Sequence, residues 1–201
     1  MFELKSARYL AAEHLSRSVA PGDTAVDATM GNGHDTCMLA RLVGPEGHVF
    51  AFDVQEQAVR STEALLRAEG LADRVTLIHA GHERMAEFVP RAVGAICFNL
   101  GWLPGGNKEI TTRWETTRAA LDQALSLLRP MGVCTVCVYP GHAAGEEERI
   151  RLTEYLSALR PQEYNVLQEK FLNAGPGAPE CMVIQRQNIP GAAREPGRIG
   201  G

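Results

Sequence analysis

Apolar positions along this chain switch repeatedly between two periods. Ala7, Leu10, Ala11, Leu15 and Val19, with His14 in part, recur at helical spacing and predict a helix over residues 3–19. Pro21-Gly22-Asp23 interrupts it, and Thr24 to Ala28 reads as a short buried strand. Gly31-Asn32-Gly33 marks a turn, after which Met38, Leu39, Leu42 and Val43 place a helix over residues 34–43. Gly44 to Gly47 turns the chain into His48 to Asp53, a second strand that ends in an acid.

The alternation continues to residue 159. Glu56 to Glu69 is a predicted helix stopped by Gly70, Arg74 to Ala80 a strand, Glu83 to Phe88 a short helix and Val93 to Leu100 an apolar strand. Thr111 to Leu128 is the longest predicted helix, with Trp114, Leu121, Leu125 and Leu128 on one stripe. Thr112 and Glu115 have capping-box spacing at its start, and Arg129 to Gly132 closes it. Val133 to Tyr139 is a strand, Gly145 to Leu159 a helix, and Tyr164 to Leu172 and Cys181 to Gln187 are two further strands.

One helix, five βα units and a closing pair of strands predict an α/β fold with a parallel, doubly wound sheet covered on both faces. The last two strands have no helix between them and are expected as a hairpin at one edge. A single domain over residues 1–187 follows, with Gly/Pro-rich residues 188–201 expected as a disordered tail.

Composition narrows the function. Twenty Lys+Arg against 24 Asp+Glu leave a net charge of -4, which excludes a polybasic, tail-driven nucleic-acid binder but not a local basic patch. No apolar run reaches the ~18–20 residues of a membrane span, and the first residues do not read as a signal peptide, so a cytoplasmic protein without membrane association is expected. The five cysteines are odd in number and scattered, and are expected to be reduced, buried thiols. Cys134 and Cys137 have C-x-x-C spacing, but within a strand they point to opposite faces and cannot share a metal, so no metal site is expected.

The candidate chemistry gathers at strand ends, where open α/β sheets bind ligands. After the first strand stands Asp27-Ala28-Thr29-Met30-Gly31-Asn32-Gly33-His34-Asp35-Thr36. Its glycines permit close backbone approach, and the following helix N-terminus offers free N–H groups. Asp53 ends the second strand, placed to accept two ribose hydroxyls. A dinucleotide fingerprint would need a third glycine where Thr36 stands, and Asp27 would repel a pyrophosphate. An acid there suits an ammonium-bearing ligand. Asp27, the glycine turn and Asp53 together therefore point to S-adenosylmethionine over a nicotinamide cofactor.

Beyond the fourth strand, Asn99-Leu100-Gly101-Trp102 is similar to the Asn-Pro-Pro-aromatic motif of methyltransferases acting on exocyclic amines. Asn99 is expected to accept an N–H from the substrate amine through its side-chain oxygen, and Trp102 to stack on a base. No cysteine is placed as a nucleophile toward a uracil ring, which weighs against carbon methylation.

These segments, with Phe52 to Gln55, Asn99 to Gly106 and Tyr139-Pro140-Gly141-His142, resemble the small bacterial MnmM family, once labelled rRNA methylases, over about residues 5–187. The resemblance implies a Rossmann-like class I methyltransferase with a seven-stranded sheet, mostly parallel, whose last strand is antiparallel. It implies S-adenosyl-L-methionine as cofactor and the anticodon stem-loop of tRNA as partner. The implied reaction is N-methylation of 5-aminomethyl-(2-thio)uridine at the wobble position to 5-methylaminomethyl-(2-thio)uridine. Cofactor contacts are expected from Asp27, Thr29, Gly31, Asn32, Gly33, Asp35, Thr36, Asp53, Gln55, His82, Glu83 and Asn99. The catalytic set is expected to be Asn99, Trp102, Tyr139 and His142, with His142 as a candidate proton acceptor or substrate contact. The chain departs from the family in having Trp102 where tyrosine is commoner and Ala80-Gly81 where the family shows Asp-Ser.

Lys108, Arg113 and Arg118 flank the Asn99 loop and are the expected RNA contacts. Three alternatives stay open: an rRNA or small amine as substrate, a non-catalytic cofactor-binding module, and a nicotinamide-linked dehydrogenase. The first helix serves either as a homodimer face or as a lid on the sheet.

Overall fold

A computed structural model describes residues 5–107 and 109–188; Lys108 and the tail beyond residue 188 lie outside the described residues. The elements run α1 (Ala7–Ser18), β1 (Thr24–Asp27), α2 (His34–Val43), β2 (His48–Asp53), α3 (Glu56–Ala68), β3 (Val75–His79), β4 (Val93–Asn99), α4 (Trp114–Leu127), β5 (Leu128–Val138), α5 (Ala143–Ser157), β6 (Tyr164–Glu169) and β7 (Glu180–Arg186). One seven-stranded sheet has the order β3-β2-β1-β4-β5-β7-β6. The pairs among β1 to β5 are parallel, and β7 lies antiparallel between β5 and β6. The closing hairpin is at the sheet edge, as expected, with its second strand on the inside.

Alternation along the strands divides the core. Ile96 and Phe98 of β4 pack with Phe52, Leu121, Leu125 and Leu152 on the α4/α5 side. Ala95 and Cys97 face the other way, among Leu15, Leu39, Val43 and Val49. The same alternation separates Cys134 from Cys137, which belong to different clusters. All five cysteines are buried and free. Ala7, Leu10 and Ala11 of α1 cover Val133, Cys137, Cys181 and Val183. The apolar stripe of α1 is therefore a lid on the sheet.

Several boundaries differ from the sequence reading. The segment Glu83 to Phe88 forms a 3-10 helix over His82–Glu87. Helix α4 begins at Trp114, not Thr111, and Thr112 caps nothing: its hydroxyl is bound to Glu148, and Arg113 occupies the N-cap without a side-chain bond. The closing turn expected at Arg129 to Gly132 lies inside β5. There the register jumps from Val93↔Leu128 to Ala95↔Val133, and Met131 takes a positive φ of 63°. Pro130 has no N–H to give the ladder, and the chain loops out around it.

Candidate active site

The strand order reverses beside β1, with β2 and β3 on one side and β4 and β5 on the other. A cavity of about 520 Å³ opens over the strand ends at this point. Its walls come from the turn after β1, the ends of β2 and β3, the loop after β4, and the end of β5.

Asp53 occupies the β2 side. Its Oδ2 accepts the Gly31 N–H at 3.1 Å and its Oδ1 the Gln55 N–H at 2.9 Å, so two backbone donors fix a carboxylate that lines the cavity. Gln55, Gly31 and Asn32 also line it. Asn32 reaches across to donate to the Pro104 carbonyl at 3.4 Å. Beyond β3, Ala80, Gly81, His82 and Glu83 complete this end, and Ala80 leaves no acid where the resembling family carries one. Burial holds His82 below its ordinary pKa. Its Nδ1 faces the Ala28 carbonyl at 3.1 Å, so Nδ1 carries the hydrogen and Nε2 is the ring's acceptor.

Asp27 is not where the sequence argument put it. The residue is fully buried and absent from the cavity wall. Its Oδ2 accepts the Thr36 hydroxyl at 2.7 Å and its Oδ1 the Thr29 N–H at 3.2 Å. Burial, reinforced by the charge of Asp35 and opposed by those two bonds, pushes its carboxyl up to about 7. Thr36 and Gly33 are likewise structural. Gly33 takes φ 82° and could not carry a Cβ, which would fall 2.9 Å from the Thr62 side chain. Thr29 does reach the wall, and its hydroxyl accepts the Asn99 N–H at 2.7 Å, tying the turn after β1 to the end of β4.

The acid that does face the cavity beside β1 is Asp35, at the start of α2. It is held by Arg8 of α1, whose Nε lies 2.8 Å from Oδ1 and 3.1 Å from Oδ2 and whose Nη2 lies 2.7 Å from Oδ1. Asn99 Nδ2 donates to Oδ2 at 2.8 Å. An ionised carboxylate only accepts, so this bond fixes the orientation of the Asn99 amide. Asn99 Oδ1 then points into buried space with no hydrogen-bond partner. The oxygen expected to accept a substrate N–H is thus buried and unpaired, although Asn99 itself lines the cavity.

The loop after β4 is pinned from behind. Gly101 donates its N–H to Thr112 Oγ1 at 2.8 Å and accepts the Thr112 N–H at 3.0 Å, while Trp102 bridges to Thr111. The Thr112 and Thr117 hydroxyls donate to the two oxygens of buried Glu148 at 2.8 and 2.6 Å. Burial raises the Glu148 pKa against both of these bonds. Sequence reasoning missed Glu148, which stands last in a run of three glutamates, and Arg8, one cation on an ordinary helix.

Trp102 and His142 face each other with ring centroids 4.5 Å apart and planes tilted by 41°, both on the cavity wall with Tyr139. Burial pushes the Tyr139 phenol up to about 12. His142 is the N-cap of α5, its Nδ1 accepting the Gly145 N–H at 3.1 Å. The ring's one neutral acceptor is occupied there, so His142 is not placed as a proton acceptor. Of the expected RNA contacts, Arg113 lines the cavity. Arg118 does not; it pairs with Asp122 at 3.9 Å and lies over the Tyr155 ring.

A family described as putative rRNA methylase matches residues 49–185. The chain belongs to that family. A chloroplastic tRNA (mnm(5)s(2)U34)-methyltransferase of Arabidopsis thaliana is 37% identical over 94% of this chain and 72% of its own length. A crystal structure titled putative rRNA-methylase from Clostridium thermocellum superposes with TM-score 0.90 at 39% identity, covering 92% of this chain and 100% of that one. A Streptococcus mutans protein titled a putative methyltransferase, in complex with SAH, gives TM-score 0.83 at 32% identity over 92% and 99% of the two chains. In this methylase family member, the cavity over β1 and β4 gathers the segments that carry the resemblance, Thr29 to Asp35, Asp53 to Gln55, Asn99 to Pro104 and Tyr139 to His142.

Proposed function

We propose that this protein is an S-adenosylmethionine-dependent methyltransferase that methylates the exocyclic amine of 5-aminomethyl-(2-thio)uridine in the anticodon of tRNA. The observation that carries the reading is one cavity holding both a backbone-anchored acid, Asp53, and the Asn99–Trp102 loop across the strand-order reversal. The likeness to a tRNA wobble-uridine methyltransferase over most of the chain supports the choice of substrate.

The residues present fit the cofactor. The lone pairs of Asp53 that its backbone donors leave open suit the paired hydroxyls of a ribose. His82 Nε2, an acceptor held neutral by burial, suits the amino edge of an adenine beside Gly81 and Glu83. Bound there, S-adenosylmethionine supplies a methyl group on a sulfonium. The chain's own work is then to place the amine. Trp102 and His142 offer flat faces for a uracil taken out of its stack, Arg113 a cation for a phosphate, and Glu148 through Thr112 the fixed position of the loop. The buried, raised thiol of Cys97 gives no nucleophile for a carbon methylation.

The test is methyl transfer from labelled S-adenosylmethionine to total tRNA from cells lacking the protein, digested to nucleosides and resolved by mass. Label in 5-methylaminomethyl-2-thiouridine is the expected result. Cofactor binding without label in tRNA would move the substrate to rRNA or a small amine.

A further inference from the structure

Strand alternation sends Cys97 and Asn99 of β4, and Thr135 and Cys137 of β5, to the side of the sheet that α1 covers. The register pairs Cys97 with Thr135 and Asn99 with Cys137, so Asn99 and Thr135 are diagonal neighbours on adjacent strands. Over this spot α1 presents Ala11 and Ala12, whose small side chains leave a second pocket of about 10 Å³. Arg8, Asp35 and Asn99 line both this pocket and the large cavity, and so form the partition between them.

Thr135, which also lines the small pocket, is fully buried. Its hydroxyl and Asn99 Oδ1 are both buried, and neither has a hydrogen-bond partner among the described residues. Two neighbouring polar atoms left unmet are rare in a folded protein, because each keeps its desolvation cost. The volume is that of about one water molecule, whose lower limit is about 10–15 Å³. Nothing larger fits. The hydrogen-bonding roles fit too. Asn99 Nδ2 is committed to Asp35, so Asn99 Oδ1 can only accept, whereas the Thr135 hydroxyl both donates and accepts. A water between them donates to Asn99 Oδ1 and shares its second bond with Thr135.

We propose that this pocket holds one ordered water bridging Asn99 Oδ1 and the Thr135 hydroxyl, and that Thr135 thereby positions the Asn99 side chain. The positioning role rests on the methyltransferase reading; the water site does not. With its nitrogen on Asp35 and its oxygen on the water, the Asn99 amide is held at both ends beside the cavity. Thr135 is a positioning residue here, acting from behind the partition.

A crystal structure of the wild type that resolves ordered waters tests the site without reference to activity. One peak within hydrogen-bond distance of Asn99 Oδ1 and Thr135 Oγ1 is expected; an empty pocket overturns the proposal. Thr135→Val keeps the shape and removes the hydroxyl, so the peak should vanish. The single-turnover rate of methyl transfer to aminomethyl-bearing tRNA should then fall about two- to tenfold, the worth of one hydrogen bond. Binding of 5′-methylthioadenosine and the KM for tRNA should stay at wild-type values, and Thr135→Ser should restore both water and rate. A merely structural role would lower the melting temperature and leave the rate alone, which would remove Thr135 from the positioning of Asn99. A water retained in Thr135→Val would equally overturn its part. Where Thr135→Val fails to fold, Ala11→Val narrows the pocket from the α1 side and should give the same loss of water and rate. A wild type that shows the water but transfers no methyl group would sink the methyltransferase reading and leave the site standing.

Discussion

The Thr36 hydroxyl donates to the Asp27 carboxylate at 2.7 Å inside the protein, where neither residue has any exposed surface. The bond makes Asp27 a part of the scaffold under the cofactor turn. Burial of the same carboxyl, which the bond opposes, gives the fold a dependence on pH. The folded carboxyl is raised from 3.8 to about 7, so the folded state holds a proton that the unfolded chain has released. Stability from this group is complete below about 4 and is lost as pH climbs toward about 7. Asp27→Asn cannot ionise, so its unfolding free energy should gain on the wild type between pH 5 and pH 8, by an amount on the order of 4 kcal/mol at most, read as a pH-dependent gain in relative melting temperature. A constant difference across that range would mean that Asp27 is ionised in the folded protein.

Asp53→Ala removes the acceptor on which the ribose is expected to hang, together with the partner of the Gly31 and Gln55 N–H groups. Affinity for S-adenosylhomocysteine, measured by calorimetry, should fall by about 1–3 kcal/mol. An unchanged Kd would place the nucleoside elsewhere.

Thr112→Val deletes one hydroxyl with two tasks, acceptor for Gly101 and donor to Glu148. Thermal unfolding should show a loss of about 1–3 kcal/mol, since a backbone N–H and a buried carboxylate oxygen both lose a partner. Methyl transfer should drop with it, and Thr112→Ser should restore both. Equal stability in Thr112→Val would show that the loop is held without this link.

Trp102→Ala takes away one face of the Trp102–His142 pair. If a base stacks there, the KM for RNA should rise by the equivalent of about 1–3 kcal/mol, with S-adenosylhomocysteine binding unaltered. A change confined to cofactor binding would assign Trp102 to the other end of the cavity.

Much of this protein follows from local pattern. Periods of apolar positions set the element order, Pro and Gly set most boundaries, and strand alternation set the opposed faces of Cys134 and Cys137. The acid at the end of β2 and the glycine turn after β1 marked the cavity, because strand ends in an open sheet must face the ligand. Where the reading failed, long-range contacts had overruled local chemistry. Thr112 has the spacing of a cap, yet Glu148, 36 residues away, claims its hydroxyl. His142 ends a strand on the rim, but capping α5 consumes its acceptor.

The acids show the same division most clearly. Asp27 and Asp35 stand eight residues apart around one glycine turn, and their sequence makes either a candidate for a cation. Which one lines the cavity depends on Thr36 closing over the first and on Arg8, 27 residues earlier in α1, holding the second. The sequence determined the sheet, the turn and the supply of carboxylates. Only the tertiary structure decided which carboxylate is sealed in the core and which lines the cavity paired with a guanidinium, because burial and charge are properties of neighbours in space.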